Sequence, residues 1–138
     1  MKELIGDYLG RLERFARVEI IEARDQAGAD ARKVIEKEGE EIISRVEGDQ
    51  FIVALDERGR QMSSFELSEF IEKHQISGTR QITFVLGGHG GLAEAVRRRA
   101  DRVLSLSNMT LTHEMARILL IEQLYRAYTI LHDLPYQK

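Results

Sequence analysis

Residues Leu104–Ala127 read LSLSNMTLTHEMARILLIEQLYRA, and this stretch decides how the chain is read. Its first residues complete a short apolar strand, Val103 to Leu106. A polar turn, Ser107 to Thr112, follows without a glycine or a proline. A long helix then runs from about Thr112 to His132, with Leu119, Leu120, Leu124 and Ile130 as its apolar positions. A polar turn between two apolar elements can offer its backbone groups to a ligand. Upstream, Ile82–Gly91 reads ITFVLGGHGG: a third strand, Ile82 to Leu86, running into a glycine-rich turn.

The same alternation continues towards the start of the chain. Phe51 to Leu55 is an apolar run suited to a strand buried on both faces. Ser63 or Ser64 opens a helix carrying Phe65, Leu67, Phe70 and Ile71, and Ser77-Gly78 breaks it. Asp30 can cap a helix bearing Val34, Ile35, Ile42, Ile43 and Val46, which Gly48-Asp49 turns into the next strand. Val18 to Ile21 is a β-branched strand, Arg24 to Gly28 a loop, and Leu4, Leu9, Leu12 and Phe15 give a helix over 3–15. Leu92 to Ala100 forms the remaining helix, and Pro135 ends order near the tail. Strands alternating with helices predict an α/β fold, a parallel-rich sheet with helices on both faces. Ligands of such sheets sit at the carboxyl ends of the strands. Three exits therefore matter: Leu55-Asp56-Glu57, Gly87 to Gly91, and Ser107 to Thr112.

Size and composition narrow the function. The 138 residues suffice for one domain, taken as 1–138, with a real core. No apolar run approaches the ~20 residues of a membrane span, and no leader pattern opens the chain; cytoplasmic residence is expected. The absence of cysteine removes thiolate metal sites and thiol nucleophiles. A net charge of −3 argues against nonspecific coating of nucleic acid. The densest basic cluster, Arg97, Arg98, Arg99 and Arg102, reads as a solvated helix face.

Gly88-His89-Gly90-Gly91-Leu92-Ala93 fits the dinucleotide pattern G-x-G-x-x-A. However, the ribose-binding acid expected about 20 residues later is missing, since Ser107 to Thr110 stand there. The plain alternative is a tight turn that needs positive φ. His113-Glu114 begins like H-E-x-x-H, but Arg117 occupies the fifth position, and His74, His89 and His132 are scattered, so no metal is expected. Arg126 beside Tyr125 suits either a phosphate anchor or an ordinary surface arginine.

Several motifs together carry a resemblance. They are GG-x-x-G-L after an apolar strand, L-S-L-S-x-M-T-x-x-H, R-I-L-L-I-E-Q-L-Y-R-A and a late P-Y, with IEKEG over 35–39 and FIVALD over 51–56. In order and spacing they resemble the bacterial ribosomal large-subunit pseudouridine N3-methyltransferase family of the SPOUT class. The resemblance implies a trefoil-knotted α/β fold, a homodimer packed through the knot, and bent S-adenosylmethionine held by the knot loops. It also implies 23S ribosomal RNA as substrate, methylated at N3 of a pseudouridine on the assembled ribosome. Leu55, Gly87, Gly88 and the run Leu106, Ser107, Asn108, Met109, Thr110, Leu111 and Thr112 would form the cofactor pocket, with Leu106, Met109 and Leu111 flanking adenine. His113, Arg126 and Tyr136 would be the catalytic set, without one assigned base.

The lack of cysteine agrees with this chemistry. Methylation of a base carbon usually uses a cysteine nucleophile. Transfer to N3 needs only loss of the imide proton and in-line approach, so positioning and water exclusion can supply most of the rate. The chain departs from the family pattern in three places. It starts inside the first helix, without the family's strand and Gly-Lys turn. Thr112 replaces the usual proline before the turn histidine, and the tail reads Pro135-Tyr136-Gln137-Lys138 where P-Y-H-[KR] is usual. The rival expectations are a truncated relative that binds without turnover, and an oxidoreductase using the glycine turn.

Overall fold

The computed structural model describes residues 2–15, 19–22, 31–46, 50–87 and 91–136. The order of elements is α1 (Lys2–Leu12), β1 (Glu19–Glu22), α2 (Ala31–Arg45), β2 (Phe51–Gln61), α3 (Ser64–Ile76), β3 (Ile82–Leu86), α4 (Glu94–Arg99), β4 (Arg102–Ser105) and α5 (His113–Leu131). The four strands form one sheet in the order β1-β3-β2-β4, and each pairing is parallel. The expected α/β architecture is therefore present. Asp30, the turn at Gly48-Asp49, the loop at Arg24 to Gly28, and Gly88 to Gly90 lie outside the described residues. Among the described residues no helix is long and apolar enough to cross a membrane.

Strand periodicity sorts the core into two layers. Val53, Phe84, Leu86 and Leu104 point to one face, where they meet Leu12 of α1, Leu67, Phe70 and Ile71 of α3, and Leu120, Leu124 and Ala127 of α5. Ile21, Ile52, Ala54 and Val85 point to the other and meet Ile42 of α2 and Val96 of α4. Successive residues of the central strands are thus buried on opposite faces, which is why they read as unbroken apolar runs.

Helix ends follow their caps. Ser63 closes a capping box: its hydroxyl accepts from the Glu66 N–H at 3.0 Å while Glu66 accepts from the Ser63 N–H at 2.9 Å. Gly78, at φ 78°, follows the last turn of α3 as a residue free to adopt that conformation. Thr112 caps α5 by accepting from the Met115 N–H at 3.2 Å. Its φ of −65° is the value that proline fixes, so the backbone here suits the family's usual residue as well as threonine.

One element departs from expectation. β2 does not stop at Leu55 but continues to Gln61. Its pairing with β4 is interrupted: Leu55 and Arg60 both register on Leu104. Residues 56–59 therefore make an excursion out of the ladder. Gly59 brings the chain back against β4, where a Cβ would lie 2.7 Å from the Val103 carbonyl oxygen. The polar sequence DERGRQ carries no apolar alternation, so periodicity could not show this extension.

Candidate functional site

The register aligns Glu22, Leu86, Leu55 and Leu104 in one row across the sheet. A cavity of about 740 Å³ opens immediately beyond this row, a size usual for small-molecule sites. Its floor is apolar, from Leu55, Leu86, Leu92, Leu106 and Ala116. Its walls are the three strand exits singled out in the sequence.

The first wall is the turn between β4 and α5. It folds without glycine because none of its residues takes a positive φ, and its serines brace it. Ser105 Oγ donates to the Ser107 carbonyl at 2.9 Å, and the Met109 N–H donates to Ser107 Oγ at 2.9 Å. Ser107, Met109, Thr110, Leu111 and Thr112 all line the cavity. Asn108 is exposed and is not among the lining residues.

The second wall is the glycine turn after β3. Gly87 and Gly91 both line the cavity, and Gly91 has φ 91°. A Cβ on Gly87 would sit 2.7 Å from the carbonyl carbon and oxygen of Gly91 and 2.9 Å from the Leu92 nitrogen. The close approach that Gly87 permits is therefore between two parts of its own turn. Gly88 lies outside the described residues.

The third wall is the β2 excursion. The side chain of Asp56 is 7% exposed. It accepts from the Arg58 N–H at 2.9 Å, from Arg58 Nε at 3.1 Å and Nη2 at 3.0 Å, and from Arg97 Nη1 at 3.2 Å. Burial alone would raise its pKa. The hydrogen bonds from Arg58 and the charges of Arg58 and Arg97 outweigh that and hold it below the ordinary 3.8. Next to it, Thr110 donates to Glu57 Oε2 at 2.7 Å, joining the first wall to the third.

His113 ties the opening turn of α5 to the glycine turn. Its Nδ1 lies 2.8 Å from the Gly87 carbonyl oxygen. A carbonyl can only accept, so Nδ1 carries a proton. Nε2 faces Glu22 Oε2 at 3.7 Å, and Glu22 is held bidentately by Arg117. Sequence reasoning missed this use of Glu22 and Arg117, which stand 95 residues apart. The other described histidines are elsewhere: His74 packs between Phe51 and Phe70, and His132 stacks on Phe15.

Arg126 and Tyr136 meet each other but not the cavity. The Arg126 guanidinium lies 4.4 Å from the centre of the Tyr136 ring and bonds Glu122 at 2.6 Å. Tyr136 Oη lies 3.1 Å from Tyr8 Oη and 3.2 Å from Glu122 Oε1. Burial first, then the Tyr8 hydrogen bond and the Glu122 charge, push this phenol well above its usual pKa. Arg126 is separated from His113 by roughly 20 Å along α5, at about 1.5 Å per residue.

The family model described as "Predicted SPOUT methyltransferase" matches residues 1–137. The ribosomal RNA large subunit methyltransferase H of Syntrophotalea carbinolica is 41% identical over 138 residues, covering 99% of this chain and 88% of its own. The protein of that name from Geobacter metallireducens is 45% identical over 132 residues, covering 96% of this chain and 86% of its own. Among solved structures, a probable methyltransferase from Bordetella pertussis Tohama I shares the fold, with a TM-score of 0.54 at 16% identity, over 90% of this chain and 88% of that one.

Proposed function

The chain belongs to the SPOUT methyltransferase family, and from that membership we infer that it transfers a methyl group from S-adenosylmethionine to large-subunit (23S) ribosomal RNA. The acceptor is N3 of a pseudouridine, on the assembled ribosome. The observation that carries this reading is the meeting of Gly87, Gly91 and Leu92 with Leu106, Ser107 and the residues from Met109 to Thr112 around one cavity at the strand exits.

The residues present suit such a donor. An apolar floor with Leu55, Leu86 and Leu106 can hold a purine, and the adjoining turn, Ser107 to Thr112, brings no charged side chain to its edge. Both nearby carboxylates are engaged, Asp56 with arginines and Glu57 with Thr110. When bound, S-adenosylmethionine supplies an electrophilic methyl group on a sulfonium. The chain's own work is positioning and water exclusion. The imide N3–H must lose its proton, and His113 is the ionisable ring at the cavity. With Nδ1 committed to Gly87, Nε2, which faces Glu22 Oε2 at 3.7 Å, is the ring nitrogen open to proton transfer.

Arg126 and Tyr136 serve the RNA side of the reaction. Since they lie about 20 Å along α5 from His113, a second copy of the chain must bring such a pair to the cavity. A homodimer is therefore part of this reading. Ribosomal substrate also implies work in the cytoplasm.

The test incubates the full chain with ribosomes and methyl-labelled S-adenosylmethionine, then digests the RNA for mass spectrometry. Label in 23S RNA as N3-methylpseudouridine supports the reading. Cofactor binding without label in 23S RNA overturns it in favour of a binding protein without turnover.

A further inference from the structure

Arg97 reads in sequence as one of a run of solvated arginines, yet its side chain is only 24% exposed. Its neighbours behave differently: Arg98 is 76% exposed and paired with Glu94 one turn away. A single nitrogen of Arg97, Nη1, donates to the Leu92 carbonyl at 2.8 Å and to Asp56 Oδ2 at 3.2 Å. Leu92 ends the glycine turn and Asp56 begins the β2 excursion, and both line the cavity, whereas Arg97 stands behind them. The guanidinium thus joins two walls that are 36 residues apart in the chain and share no strand pairing at these positions.

We propose that Arg97 is a positioning residue for the methyl donor, fixing the distance between the glycine turn and the β2 excursion through Leu92 and Asp56. It rests on the reading of this cavity as the S-adenosylmethionine site. The excursion needs such a support because residues 56–59 leave the ladder between Leu55 and Arg60. On its other side Thr110 donates an exposed hydrogen bond to Glu57, and Gly59 returns the chain to Val103 of β4. Asp56 keeps its three hydrogen bonds from Arg58 when Arg97 is removed, so its charge stays paired and the effect of Arg97 falls on the geometry of the walls. Both bonds leave the same nitrogen, so a lysine ammonium that reaches this point can make them in part, with a shorter and more flexible stem. A wall misplaced by less than an ångström weakens donor binding, while the acceptor chemistry of a saturated site is left intact.

The test compares the full-length protein with Arg97→Ala, Arg97→Lys and Asp56→Asn. It uses calorimetry with S-adenosylmethionine, methyl transfer to ribosomes at saturating donor, and thermal unfolding. The expected result is a Kd for S-adenosylmethionine about tenfold weaker in Arg97→Ala, with kcat within about twofold and the unfolding midpoint little changed. Arg97→Lys should recover part of the affinity. Removing Arg97 in the Asp56→Asn background should cost markedly less than in the wild type. Unchanged affinity in Arg97→Ala beside normal wild-type binding overturns this proposal alone, as does a loss of kcat with Kd unaltered. Wild-type protein that takes up no S-adenosylmethionine removes the reading of the cavity, and this inference with it.

Discussion

Replacing Gly87 by alanine adds one methyl group where the chain has no room for it. The new Cβ would stand 2.7 Å from the Gly91 carbonyl carbon and oxygen and 2.9 Å from the Leu92 nitrogen. Comfortable contact between carbon atoms is about 3.5–4.0 Å, so the turn must open by roughly 0.8 Å or more. All three neighbours are backbone, so no side chain can rotate away. Overpacking of this kind costs about 1–3 kcal/mol. For a chain of this size each kcal/mol moves the melting midpoint by about 3–5 °C, giving an expected fall of about 3–15 °C. The same displacement moves the Gly91–Leu92 wall of the cavity, so affinity for S-adenosylmethionine should fall by about tenfold or more. Gly10→Ala is the internal control. Gly10 lies on the exposed side of α1 with nothing within 4 Å of its added Cβ. That change should stabilise by about 0.5–1 kcal/mol through helix propensity. Differential scanning fluorimetry and calorimetry on both variants read the two signs side by side. A Gly87→Ala protein with the melting midpoint and cofactor affinity of the wild type would refute the reasoning.

Three further outcomes follow from the same geometry. Thr112→Pro should leave stability almost unchanged: loss of the cap to Met115 costs about 1 kcal/mol, proline at φ −65° returns about 0.4–1 kcal/mol, and a large drop in melting midpoint would show that the Thr112 N–H is needed. Asp56 titrates below its ordinary value in the folded chain, so its contribution is present above the unfolded pKa and is lost as pH falls through the folded one; Asp56→Asn should flatten this part of the acid side of the stability curve, and an unaltered acid profile would count against the arginine cluster. Arg126→Ala removes the guanidinium from Glu122 and the Tyr136 ring and should abolish methyl transfer while calorimetry finds S-adenosylmethionine bound as before; wild-type turnover would take Arg126 out of the reaction.

What could be read from the sequence follows from the range of the interactions involved. β3 matches its apolar run, Ile82 to Leu86, because its side chains are buried on both faces and the pattern is local. The starts of α3 and α5 were legible because a cap acts over three residues, from Ser63 to Glu66 and from Thr112 to Met115. The second half of β2 was not legible. It pairs with β4 only at Arg60 and Gln61, after an excursion that nothing in DERGRQ announces. Within the site, the Ser107–Thr112 turn stood out as polar residues between apolar elements. Arg97 did not, because its two acceptors identify it only once α4 is packed beside the strand exits. Glu22 and Arg117 are separated by 95 residues and had no local signal at all; Arg117 entered only as the residue that spoils a zinc motif. Arg126 and Tyr136 stood out by motif, and the fold brings them together with Glu122 and Tyr8, about 20 Å along the helix from His113. Motif reading singled this pair out without showing where the fold puts it.

What occupies the space between Gly87, Gly91 and the Leu106–Thr112 turn decides the function. A crystal structure of the full chain grown with S-adenosylhomocysteine tests it most directly. The nucleoside should lie over Leu55, Leu86 and Leu106, its adenine edge against the backbone of the turn before α5. A nucleoside bound anywhere else on the surface, or an empty cavity at saturating concentration, would contradict the account.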